Sequence, residues 1–145
     1  METEPDIRLL GFSLWVDGRE FPDATDFWDS NWLMIRAEMR ASGAYVEHSG
    51  PILTTADIEQ FRDDLSQMVD TMTGEAALTG MEPGLRLQLK MQKLGRIEAI
   101  VEITPDHLTQ QHSFEVEADQ SFLPGLVASC DAVLTRFPVI NAPSN

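Results

Sequence analysis

Two neighbouring stretches of the chain alternate between apolar and polar residues, with Ile100 the one break in the pattern. Leu85, Leu87, Leu89 and Met91 interleave with Arg86, Gln88, Lys90 and Gln92. Ile97, Ala99, Val101 and Ile103 interleave with Arg96, Glu98, Ile100 and Glu102. A period of two is the repeat of a β-strand, whose successive side chains point to opposite faces. One apolar face per strand describes a sheet buried on one side and wet on the other. Leu94-Gly95 leaves room only for a tight turn between them, so the two strands pair antiparallel.

The same pattern recurs along the chain. Residues 7–16 read as a first strand, closed by the turn dipeptide Asp17-Gly18. Leu33, Ile35, Ala37 and Met39 alternate with Met34, Arg36, Glu38 and Arg40. Ser42-Gly43 connects to a third strand over 44–48, which Gly50-Pro51 is expected to end. Residues 76–81 form a weaker strand, with Pro83-Gly84 turning the chain into Leu85. Pro105-Asp106 closes the strand that ends at Ile103, and 112–118 forms the last one.

Two segments carry helical spacing instead. Ile58, Phe61, Leu65, Met68 and Met72 recur at steps of three and four behind Thr54, with Asp57 placed to complete a capping box. Thr73-Gly74 is the expected stop. Leu123, Leu126, Cys130, Val133, Leu134 and Phe137 form a second apolar stripe, with Pro124 in its first turn and Pro138 past its end. The order β-β-β-α-β-β-β-β-α predicts an α+β fold: one curved antiparallel sheet of six or seven strands, with both helices packed on one face. No internal repeat is visible. Residues 1–140 are expected to form a single domain and 141–145 a mobile tail.

Composition narrows the function classes. The 43% apolar and 23% charged fractions are those of a folded globular chain. The acidic start, Met1 to Asp6, has no basic region followed by an apolar run, so no signal peptide is expected. No apolar run approaches the ~20 residues of a spanning helix. The single cysteine, Cys130, allows no internal disulfide and sits on a helix stripe as a small core residue, which points to a reducing cytoplasm. The net charge of −14 repels nucleic-acid phosphates and anionic membranes and attracts a basic protein partner.

The residues that usually carry chemistry are not arranged for it. There is no glycine-rich phosphate loop, no Gly-x-Ser-x-Gly, no His-Glu-x-x-His and no Cys-x-x-Cys, and no motif implies a cofactor. His107 and His112 flank a loop, and His48 stands near a strand end. Arg86, Lys90, Lys93 and Arg96 concentrate four of the ten basic residues on one hairpin, where cross-strand pairing with acids accounts for them.

The segment from Phe21 to Leu33 is the most distinctive. Asp23, Asp26 and Asp29 recur every three residues, and Phe27, Trp28 and Trp32 stand among them. Three carboxylates could hold a divalent cation, form an acidic binding loop, or simply cap local turns. The tryptophans either anchor the loop or, exposed, serve as contact residues. Trp32, pointing away from Leu33, is expected to be the more exposed of the two. Asp23, Asp26, Trp28, Asp29 and Trp32 are therefore the candidate partner-binding residues. The competing readings are a small carboxylate–metal enzyme at the same loop and a self-associating structural domain that forms a homodimer.

Phe21-Pro22-Asp23-Ala24, Asp26, Trp28-Asp29 and Asn31-Trp32-Leu33 together resemble the opening segment of the bacterial WapI-type immunity proteins. The layout downstream is similar too, with Glu82-Pro83 among the later strands and a final helix closing at Arg136-Phe137-Pro138. The resemblance implies a non-catalytic immunity role: binding and neutralising a toxin domain, a tRNA-cleaving nuclease in the family's namesake. It implies no cofactor and no catalytic motif.

Overall fold

The computed structural model describes residues 3–143. Among the described residues there are eight strands rather than seven, and they form two sheets rather than one. The first sheet runs in the order β1 (Ile7–Leu9), β2 (Phe12–Arg19), β3 (Trp32–Ala41), β4 (Ala44–Thr54). The second runs β5 (Glu75–Thr79), β6 (Leu85–Met91), β7 (Arg96–Ile103), β8 (Ser113–Asp119). Every pairing is antiparallel between chain neighbours. A five-residue helix α1 (Phe27–Asn31) lies between β2 and β3. Helix α2 (Thr55–Thr71) follows the first sheet and α3 (Leu123–Arg136) the second. The chain thus traces the same plan twice, a four-stranded meander closed by a helix.

The single curved sheet expected from the sequence is corrected here, while the α+β, all-antiparallel character stands. Alternation reveals that each strand buries one face, but not which strands are neighbours. Between Thr54 and Glu75 the chain spends 17 residues in α2, which leads it away from the β4 edge. The meander restarts at β5 as a separate sheet.

Other corrections are local. The expected first strand is a hairpin, with Leu9 opposite Phe12 across Leu10-Gly11. An apolar Leu10 at φ 53° conceals that turn. Strand β4 continues through Gly50-Pro51 to Thr54. It is the outer strand of its sheet, where proline costs no ladder bond, and a bulge opposite Leu33–Met34 takes up the irregularity.

The two long helices pack on each other, α2 also against β4 and β5, α3 also against β1. Phe12, Leu14, Leu33, Ile35, Phe61, Leu65, Leu87, Val101, Leu126 and Cys130, from both sheets and both helices, belong to one continuous buried cluster. The Thr54–Asp57 capping box forms as expected, with Thr54 Oγ1 accepting from the Asp57 amide at 3.2 Å and Asp57 Oδ2 from the Thr54 amide at 2.8 Å. Among the described residues no helix is long and apolar enough to cross a membrane.

The basic hairpin is matched by acids. Register places Arg86 beside Glu102, and Lys90 between Glu75 and Glu98. Arg96 Nε meets Glu117 at 3.0 Å.

Candidate functional site

The segment from Phe21 to Trp32 folds back on itself through its own polar side chains. Asp26 is the N-cap of α1, with Oδ2 accepting from the Asp29 amide at 3.2 Å. Ser30 Oγ donates to the Ala24 carbonyl at 3.0 Å. A helix of five residues has no stability of its own, so tertiary anchors must hold it.

Asn31 supplies the main anchor. It is buried, and its Nδ2 donates to the carbonyls of Phe27 at 2.7 Å and Ile140 at 2.8 Å. Its Oδ1 accepts from Thr55 Oγ1 at 2.8 Å and from the Ile140 amide at 3.0 Å. One side chain thereby ties α1 to the start of α2 and to the C-terminal segment. Arg19 reinforces the tie, donating to the carbonyls of Ser30 at 2.7 Å and Pro138 at 2.6 Å. Asn141 Nδ2 donates to Ser30 Oγ at 2.8 Å. Of the mobile tail expected over 141–145, residues 144–145 lie outside the described residues.

This framework presents Trp28 to solvent. Trp28 is 59% exposed and stands edge-on to Phe27, with ring centroids 5.2 Å apart and planes at 70°. Trp32 begins β3 and is half-buried. The exposure order expected of the two tryptophans is therefore reversed. Trp28 falls on the outer side of a helical turn, whereas Trp32 enters a strand in register with Thr54 of β4. Asp23, Asp26 and Asp29 are all exposed. They do not form a cation cage: among the described residues no three His, Cys, Asp or Glu side chains come together as a ligand set.

Beneath Trp28 lies a cleft of about 270 Å³. Phe27, Trp28, Ala56 and Met81 form its apolar walls, and Asn31, Thr54 and Asp57 its polar lining. Met81 is 67% exposed and leans in from the loop after β5. That loop is seated closely: a side chain at Gly80 would stand 2.5 Å from the Ile52 carbonyl and 3.4 Å from Asp57 Oδ2. Burial pushes the Asp57 carboxyl up from its ordinary value, against the opposing pull of the Thr54 amide and hydroxyl on the carboxylate.

Of the residues singled out in the sequence, Trp28 lines this cleft, whereas Asp23, Asp26, Asp29 and Trp32 do not; Asn31, Asp57 and Met81, which line it, and Arg19, which braces it, were not singled out. Asn31 lay inside the quoted motif, and a lone amide among aspartates was its only signal. Asp57 was visible only as a cap. Met81 gave no signal.

An exposed indole and exposed aspartates thus stand on a tied segment of an α+β, all-antiparallel fold. The chain belongs to the WapI-like immunity protein family, whose model matches residues 6–138. No match was found among curated proteins or among solved structures.

Proposed function

We infer that this protein is a cytoplasmic bacterial immunity protein that neutralises a basic toxin domain, a nuclease by its charge, through the surface around Trp28. The observation that carries the reading is an indole 59% exposed on a turn that Asp26 caps and Asn31 anchors. A large side chain held rigidly in solvent loses little entropy on binding and suits a hot spot. Asp23 and Asp29 beside it, within a net charge of −14, favour encounter with a basic surface. Membership of an immunity family supports the same class of role.

The test is protection. The protein is co-expressed with the basic domain encoded beside its gene, and growth and binding are measured. Trp28→Ala is expected to weaken binding by roughly 30-fold or more, as for a hot-spot residue of about 2 kcal/mol. Asp23→Asn with Asp29→Asn should slow association and flatten its salt dependence. Undiminished protection when Trp28→Ala, Asp23→Asn and Asp29→Asn are combined, or binding indifferent to salt, sinks the reading.

A further inference from the structure

The cleft beneath Trp28 has walls and a floor of opposite character. Phe27, Trp28, Ala56 and Met81 offer apolar surface, while Asp57 contributes a carboxylate. Asp57 Oδ2 accepts from the Thr54 amide at 2.8 Å and the Thr54 hydroxyl also bears on the carboxylate, which leaves a half-buried acceptor oxygen in the cleft lining with capacity for a further donor. A wholly apolar occupant would strip water from that oxygen and leave it unpaired, a costly arrangement. An anionic occupant would meet the carboxylate head-on, because the capping box already fills the N-terminus of α2 with Asp57. The occupant that satisfies both parts is a cation on a long apolar stem. Its methylenes would lie along Met81 and Ala56, its charged head would reach Asp57, and a planar head would stack against Trp28.

Size and surroundings narrow the choice. A volume of about 270 Å³ falls just below the ~300 Å³ at which small-molecule pockets begin, so it suits one inserted side chain rather than a cofactor. Asp23, Asp26 and Asp29 are exposed in the same segment as Phe27 and Trp28 and add to the negative field around it. Arginine fits better than lysine, because its guanidinium is planar, stacks on indole and is less strongly hydrated.

We propose that this cleft is the receptor for a single arginine side chain projecting from the toxin partner. The proposal rests on the immunity reading above and adds to it the chemistry of the central contact.

The probe is Nα-acetyl-arginine methylamide, titrated into the whole protein while the Trp28 indole N–H and the Thr54 and Asn31 signals are followed by NMR. The citrulline and leucine analogues serve as neutral controls. Saturable shifts are expected with arginine alone. Trp28→Leu should weaken them by about two- to fivefold, the worth of one cation–π contact. Asp57→Asn retains an oxygen for the Thr54 cap, and should weaken them by about tenfold or more, with thermal melting confirming the fold. Equal shifts with citrulline or leucine overturn the proposal. So does the absence of any shift at tens of millimolar arginine probe, or binding unaffected by both substitutions. If the probe fails while Asp23 and Asp29 still govern protection against the toxin, the cleft assignment falls and the immunity reading stands. If the probe binds as expected but protection ignores Trp28, Asp23, Asp29 and salt, the immunity reading falls and the cleft remains a guanidinium site.

Discussion

Asn31 holds together three parts of the chain that lie far apart in sequence: α1, the first residue of α2, and the segment at Ile140. Each partner is buried or half-buried, so deleting the amide leaves donors and acceptors that water does not readily reach. Asn31→Ala is expected to cost about 2–4 kcal/mol, measured by chemical denaturation. It should also broaden the NMR signals of residues 24–31. A loss below roughly half a kcal/mol would mean that Arg19 alone suffices to hold the turn. Cys130 behaves as its helical spacing suggests. It is fully buried, and burial pushes its thiol up to about 12, the property of a packed side chain rather than a nucleophile. The residue types that matter at the site were thus readable unevenly. An aspartate every third residue is conspicuous, whereas an asparagine that bonds to residues 24 and 109 positions away leaves no local pattern.

At the scale of elements, both ends of α2 were legible, but the left-handed residue that closes it was not. Thr54 and Asp57 satisfy each other's backbone within four residues, a purely local arrangement. The helix ends on Met72 at φ 55° and ψ 30°, with its amide donating to the Met68 carbonyl at 2.9 Å, just before the Thr73-Gly74 expected to stop it. A left-handed non-glycine residue is strained by its Cβ, by roughly 1–2 kcal/mol. Met72 is 40% exposed, so little packing is at stake. Met72→Gly is expected to raise stability by about 1 kcal/mol, measured as a shift in denaturation midpoint. A neutral or negative shift would show that the methionine packs more than its exposure suggests. The same limits explain α1. Residues 27–31 are too few and too polar to show a helical period, and the turn exists because Asp26 caps it and Asn31 fastens it. That fastening turns Trp28 outward and sends Trp32 into β3, the reverse of the order read from alternation alone.

For the molecule as a whole, a net charge of −14 on 145 residues sets the cost of compactness. Acids face one another on the wet face of the second sheet, where Glu98 stands opposite Glu117 in the β7–β8 register. Salt should therefore stabilise the fold by screening repulsion, even as it weakens attraction to a basic partner. Between ~0.01 M and ~0.15 M sodium chloride, as the Debye length shrinks from about 30 to 8 Å, the melting temperature is expected to rise by roughly 2–4 °C. A fall in melting temperature over this range would mean that ion pairs such as Arg96–Glu117 and Arg136–Asp6 outweigh the repulsion. What the sequence by itself determined were the properties carried by neighbours along the chain: strand alternation, helix stripes, antiparallel turns, one capping box, the acidic charge and the family, whose model matches residues 6–138. Only the tertiary structure decided that the strands divide into two sheets, that Trp28 rather than Trp32 meets solvent, and that Asp57 and Met81 close a cleft beneath it. Local patterns are set by backbone geometry within a few residues. Those three outcomes depend on contacts between residues tens to a hundred positions apart, whose pairing no local period encodes.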